Sequence, residues 1–233
     1  EVVEIRGPDP ALVLAGRFGL RRFFERQVKG NTEMQESSWL NRAARLRKEA
    51  RDLSAALEGA HIYHCFFKGI ALIGRFYRID DRRLDDIDLL VGEGDRNATL
   101  ALLHAQGYSD LESGVWGPAT DRPGVTMYQV DPQTGERDAA APLLDLHWGL
   151  ESVTTVLPGN AVAVPNAVLV KAQMEHRLSI LPDEYHAALV LHHLVRHDLL
   201  HVRGLLDLAL LWEALPRDGG RQLTDLAQRL GVS

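Results

Sequence analysis

The sequence predicts an α/β fold of the α+β kind: a mixed sheet with flanking helices, followed by a C-terminal helical lobe. Three observations carry this. Short extended stretches, His61–Phe67, Asp86–Val91 and Val125–Val130, are separated by helical patterns, as in a sheet covered by helices. Two extended stretches, Asp86–Val91 and Pro142–Leu150, alternate acids with apolar residues, so each has one polar and one apolar face. From Pro165 onward the apolar spacing turns helical. The chain divides accordingly into an N-terminal helical segment (1–60), a sheet-bearing lobe (61–150) and a C-terminal helical lobe (151–233).

In order, residues 1–10 read as an extended lead-in, and Ala11–Gln27 as an amphipathic helix with its arginines exposed. From Ser37 to Leu57, Leu40, Ala43, Leu46, Ala50, Leu53 and Leu57 recur at helical spacing, and Gly59 supplies a stop. The strand His61–Phe67 breaks at Lys68-Gly69 into Ile70–Ile73, a helical run expected to continue through Tyr77. After Asp86–Val91 comes a Gly-rich turn, a helix over Arg96–Gln106 ended by Gly107, and an extended piece from Tyr108. Residues 113–124 read as a loop of the kind that forms lids, ahead of the strands Val125–Val130 and Pro142–Leu150. Asn166–Leu178 reads as a helix. Pro182-Asp183-Glu184 opens another that runs to about His197, Arg203–Leu215 a third, and a short helix ends the chain.

Composition narrows the classes of function. At 233 residues, 45% hydrophobic and 25% charged, the chain can bury a substantial core. A net charge of −6 speaks against a protein built to coat long nucleic acid, while a small anion carried with a cation remains compatible. One cysteine, Cys65, excludes a disulfide framework or a Cys-rich zinc site. The longest early apolar run, Ala11–Ala15, is too short for a membrane span, so the cytoplasm is the expected location. The chain opens at Glu1 without a methionine, which leaves room for an upstream segment.

The chemistry concentrates on the acidic strands. Asp86 and Asp88 share one strand face, with Ile87, Leu89 and Val91 on the other. Two neighbouring carboxylates repel, and a fold that holds them together offsets the repulsion with a cation. Mg²⁺, a hard ion held by one or two carboxylates together with substrate phosphates, fits best, with Mn²⁺ the alternative. A third acid, Asp145, shares a face with His147 and would complete a cage for metal. His147 itself reads first as a partly buried strand residue with a satisfied hydrogen bond; the alternative, from its shared face with Asp145, is that it orders that ligand or touches a phosphate. At the Lys68-Gly69 turn a helix N-terminus, a flexible Gly and the Lys charge suit phosphate, and one of Arg82 and Arg83 is expected to face an anion. Asp85 breaks the parity and reads as a turn or strand-edge residue. His186, His193, His197 and His201 form one stripe if 183–201 is a single helix. His193 and His197 stand at zinc-gripping spacing, but no Glu follows His193, so a polar stripe facing the sheet is the better reading.

Four features, Lys68-Gly69 after a strand, Arg82 or Arg83 before the acids, Asp86-Ile87-Asp88-Leu89-Leu90-Val91, and Leu144-Asp145-Leu146-His147-Trp148, together resemble the nucleotidyltransferase superfamily that includes DNA polymerase β. They resemble in particular its bacterial group of uncharacterised nucleotidyltransferases. The resemblance spans roughly residues 60–215 by motif order. The chain departs from the wider superfamily in having Lys-Gly where that has Gly-Ser, and in a longer separation between Gly69 and Asp86. The resemblance implies a nucleotidyltransferase-like sheet and attack by an acceptor hydroxyl or phosphate on the α-phosphorus of an NTP such as ATP. NMP would be transferred and pyrophosphate released. Asp86 and Asp88 would bind the metals, Asp145 would complete the site and help deprotonate the acceptor, and Lys68 with the Gly69 amide would steady the β- and γ-phosphates. The acceptor, whether small molecule, peptide or RNA, is left open. The rival expectations are a non-catalytic nucleotide-binding or scaffold protein on the same fold, and a toxin-like modifier of tRNA or protein.

Overall fold

The computed structural model of the chain describes residues 20, 23, 38–111, 123–138, 141–151, 161–164, 166–196 and 201–229. The long helix expected after Ser37 is α1, Ser38–Gly59. Its apolar stripe, Ala43, Leu46, Ala50, Leu53 and Leu57, is buried to within 1% and forms one side of the main core. Strand β1, His64–Phe67, is buried along its whole length. A single helical turn, α2, Gly69–Leu72, follows it. Strand β2, Asp86–Val91, leads through a short 3₁₀ turn into α3, Arg96–Ala105. Strands β3, Tyr108–Asp110, β4, Gly124–Gln129, and β5, Leu143–His147, come next. Then follow β6, Gly149–Glu151, β7, Ala161–Ala163, and the one-turn α4, Asn166–Leu169. Strands β8, Gln173–Glu175, and β9, Leu178–Ile180, precede the helices α5, Asp183–Arg196, α6, Val202–Ala214, and α7, Gly219–Arg229.

Among the described residues, seven strands form one mixed sheet in the order β3-β4-β5-β2-β1-β9-β8, while β6 and β7 pair separately. β2 runs antiparallel to β1 and parallel to β5, and its register sets Asp88 directly beside Asp145. One sheet face carries Phe66, Ile87, Leu89, Val91, Leu144 and Leu146 in the core that α1 closes. The other carries Cys65, Phe67 and Leu90, which pack in a smaller apolar group with Leu181 and with Leu189 of α5. Asp88 shares that second face with Leu90, so the acids stand where the smaller apolar group ends.

Four expectations are corrected. The helix expected to run from Ile70 through Tyr77 stops at Leu72, because Gly74 adopts φ 92° and turns the chain so that Ile73 bridges Tyr77. The strand expected over Pro142–Leu150 is two strands in different sheets, interrupted at Trp148, whose N–H donates to the Pro123 carbonyl at 2.8 Å. The helix expected over Asn166–Leu178 is one turn followed by a hairpin. His176 at φ 51° and Arg177 at φ 66° form its left-handed corner, and β9 joins β1 in parallel. Residues 183–201 are not a single helix, since His201 stands as the N-cap of α6 and accepts from the Gly204 N–H. The lead-in 1–10, the helix over Ala11–Gln27 apart from the buried Leu20 and Phe23, His197 and most of the 113–124 loop lie outside the described residues. None of the described helices is long and apolar enough to cross a membrane.

Candidate active site

The acids converge because two parallel strands bring alternating residues to one face. Asp88 on β2 and Asp145 on β5 are register partners, and His147 follows Asp145 on the same face. Ligating atoms of Asp88, Asp145 and His147 lie within 4.8 Å of one another. Asp86, two residues before Asp88, stands outside this tightest group but is coupled to it by charge. Burial above all, and then Asp88 and Asp145, push its carboxyl up to about 7, with Lys68 acting the other way. Asp88 has the opposite fate. Its burial favours the neutral acid, but the Lys68 ammonium and His147 together outweigh that and hold it below the usual carboxylate range. Among three crowded carboxylates the negative charge is therefore kept on Asp88 and resisted on Asp86.

Each acid has identifiable supports. Asp145 Oδ1 accepts a hydrogen bond of 2.7 Å from Thr126 Oγ1 on the neighbouring β4, which fixes the carboxylate's orientation. The Lys68 ammonium lies 2.5 Å from Asp88 Oδ1 and 5.1 Å from the Phe67 ring centroid. The Lys68 backbone N–H donates to Nε2 of His186, a fully buried ring on α5, at 3.0 Å. Burial drops the His186 pKa to about 3, so the ring is neutral and Nε2 is free to accept. The sequence does not single out Thr126, and it places His186 in a polar stripe facing the sheet without its bond to Lys68. Neither belongs to a short motif, and His186 lies 118 residues from its partner.

The remaining expected residues are distributed as follows. Gly69 is closely overlaid by Arg82, since a Cβ there would stand 2.1 Å from Arg82 Nη1. Arg82 is buried and bidentate on Asp207 of α6, through Nε at 3.1 Å and Nη2 at 2.7 Å, while Tyr77 donates to the same carboxylate at 2.8 Å. Arg83 is exposed and donates to Asp85 Oδ1 at 2.7 Å. Asp85 also accepts from Arg203 Nη1 at 2.9 Å, and its backbone carbonyl from Arg42 Nη2 at 2.8 Å. Burial raises the Asp85 pKa, but the hydrogen bonds from Arg203 and Arg83 prevail and set it lower than usual. A cavity of about 510 Å³ opens between these strands and the C-terminal helices. The three acids, Lys68 and Gly69 line one side, and His193, His201 and Arg203 the other; Arg82 lines it and Arg83 does not.

His147 tests whether these residues suit a divalent cation. Its Nε2 atom is buried, has no hydrogen-bond partner and points to within 3.6 Å of Asp88 Oδ1, beyond hydrogen-bond length. A buried imidazole nitrogen left without a hydrogen-bond partner beside two carboxylates is a donor set that a cation completes. The residues fit the ion.

A family model described as uncharacterised nucleotidyltransferase matches residues 23–233. No curated protein sequence matches the chain. Among solved structures, the solution structure of the antibiotic-resistance factor ANT(2'')-Ia is similar with a TM-score of 0.48 at 14% identity, over 78% of this chain and 89% of that one. The crystal structure of ANT(2")-Ia in complex with adenylyl-2"-tobramycin gives 0.43 at 13% identity, over 79% and 95%. An antigenic nucleotidyltransferase-like protein from Paracoccidioides brasiliensis gives 0.41 at 13% identity, over 80% and 88%.

Proposed function

We propose that this chain, which belongs to the uncharacterised nucleotidyltransferase family, moves NMP from an NTP to a hydroxyl or phosphate acceptor in a reaction that depends on Mg²⁺ or Mn²⁺. The observation that carries the reading is the register of Asp88 with Asp145, with the buried Nε2 of His147 beside them lacking a hydrogen-bond partner. Asp88, Asp145 and His147, with Asp86 at their edge, would hold the metal. When bound, the ion draws charge from the phosphate oxygens and favours in-line displacement.

The acceptor oxygen bonds to the α-phosphorus, the bond from that phosphorus to the pyrophosphate oxygen breaks, and pyrophosphate leaves. When the acceptor is a hydroxyl, Asp145, oriented by Thr126, is the group assigned to receive its proton. Lys68 lies close enough to these acids to serve the β- and γ-phosphates, and Arg82, which lines the cavity, is the better placed of the two arginines to face an anion. The helical side of the cavity, with His193, His201 and Arg203, is the side available to the acceptor. Calorimetric titration of each NTP with Mg²⁺, on the chain and on a variant carrying Asp86→Asn and Asp88→Asn, tests this. Metal-dependent binding that disappears in the double variant supports the reading. If the folded parent binds no NTP, a non-catalytic scaffold becomes the better account.

A further inference from the structure

Three features meet at Lys68 that an acidic metal site does not by itself require. Its backbone stands at φ 54° and ψ −140°, a region that side-chain-bearing residues avoid, and yet the position holds Lys while the glycine comes next. Its N–H is tied to the neutral, buried His186 ring. Its ammonium, largely withdrawn from water, rests on Asp88 Oδ1, the oxygen that also faces His147 Nε2. A strained backbone, an anchored amide and a buried ion pair thus all fix one cation on one metal-ligating oxygen.

We infer that Lys68 is a resident cation that competes with the divalent metal for Asp88, so that metal alone binds weakly while metal and polyphosphate load together. His186 is the positioning residue that keeps Lys68 there. The inference rests on the nucleotidyltransferase reading of the site. An ammonium and a divalent ion on the same Oδ1 repel each other, so each weakens that oxygen's hold on the other. A metal arriving alone must break the ion pair and leave the ammonium without a partner in a setting largely withdrawn from water. A polyphosphate supplies that partner in its own oxygens, so its binding raises the site's affinity for the metal, and linkage requires the metal to raise the affinity for polyphosphate by the same factor. Incomplete pairs of metal and nucleotide are thereby kept out of the site.

Mn²⁺ binding to the full chain without nucleotide, read from the free-ion signal in electron paramagnetic resonance, tests this on folded protein verified by circular dichroism. Lys68→Met should bind Mn²⁺ at least about 10-fold tighter than the parent, Lys68→Arg should stay near the parent, and His186→Ala should move partway toward the Met variant. Equal or weaker binding by Lys68→Met overturns the inference. If that variant does not fold, parent-like affinity in His186→Ala overturns it instead. Asp88→Asn separates the two levels. Loss of Mn²⁺ binding there, with no gain in Lys68→Met, defeats only this inference. Unchanged Mn²⁺ binding in Asp88→Asn defeats the site itself.

Discussion

Replacing Asp86 by Asn in metal-free protein should stabilise the fold at alkaline pH, because the fold holds that carboxylate at a cost. Burial, with Asp88 and Asp145 behind it, raises the Asp86 carboxyl to about 7. A free aspartate ionises near 4, and three units at about 1.4 kcal/mol each set an upper bound of about 4 kcal/mol. Asp86 is only half-buried, so water screens part of this, and about 2 kcal/mol is the working figure. The sign follows from proton linkage. The folded state holds the Asp86 proton more tightly than the unfolded state, so this contribution is complete below about pH 4 and is lost as the pH rises toward about 7. Asn cannot ionise and escapes the loss. With EDTA present, the variant should melt about 4–8 °C above the parent at about pH 8 and show no gain at about pH 4. Saturating Mg²⁺ should reverse the order, because the parent keeps a carboxylate for the cation. Thermal melts across this range decide the matter. A variant no more stable than the parent at about pH 8, or one whose gain is the same at every pH, would refute the reasoning.

Two further outcomes follow from the supports around the site. Thr126→Val removes the hydrogen bond that orients Asp145 without changing side-chain volume much, and should weaken Mn²⁺ binding about 10-fold or more with little change in melting temperature; unchanged affinity would show that Asp145 needs no such guide. Asp207→Ala leaves the buried Arg82 guanidinium and the Tyr77 hydroxyl without their shared partner, and should cost about 3–5 kcal/mol in urea denaturation. A loss below about 1 kcal/mol would mean that water or another group takes its place.

The acidic strands were legible because strand alternation is a short-range rule. Asp86, Ile87, Asp88 and Leu89 declare two faces within four residues, and Leu144 to His147 do the same. The long α1 was legible for the corresponding helical reason. The β8–β9 hairpin was hidden, since its left-handed corner is built from His176 and Arg177 rather than from the Gly or Asn that announces such turns. The end of α2 was signalled by Gly74, but the apolar run before it and the aromatic residues after it imitated one continuous helix. The partners of the Lys68 backbone N–H and of the Arg82 guanidinium lie 118 and 125 residues away, and no local pattern encodes which buried His or Asp will meet them. The separation of charge between Asp86 and Asp88 was likewise unreadable, because it depends on where Lys68 comes to rest.

The parallel pairing of β9 with β1 has a consequence for dissecting the molecule. Strand β1, His-Cys-Phe-Phe, is buried along its whole length, with β2 on one side and β9 on the other. Cutting the chain after residue 151 would remove β9 and bare the side of an apolar strand that β9 meets at Phe66, which is the kind of edge that recruits other chains into aggregates. The acidic strands and the last third of the chain are therefore expected to be expressed, purified and evolved as one piece. A fragment that ends at residue 151 should precipitate where the whole chain stays in solution.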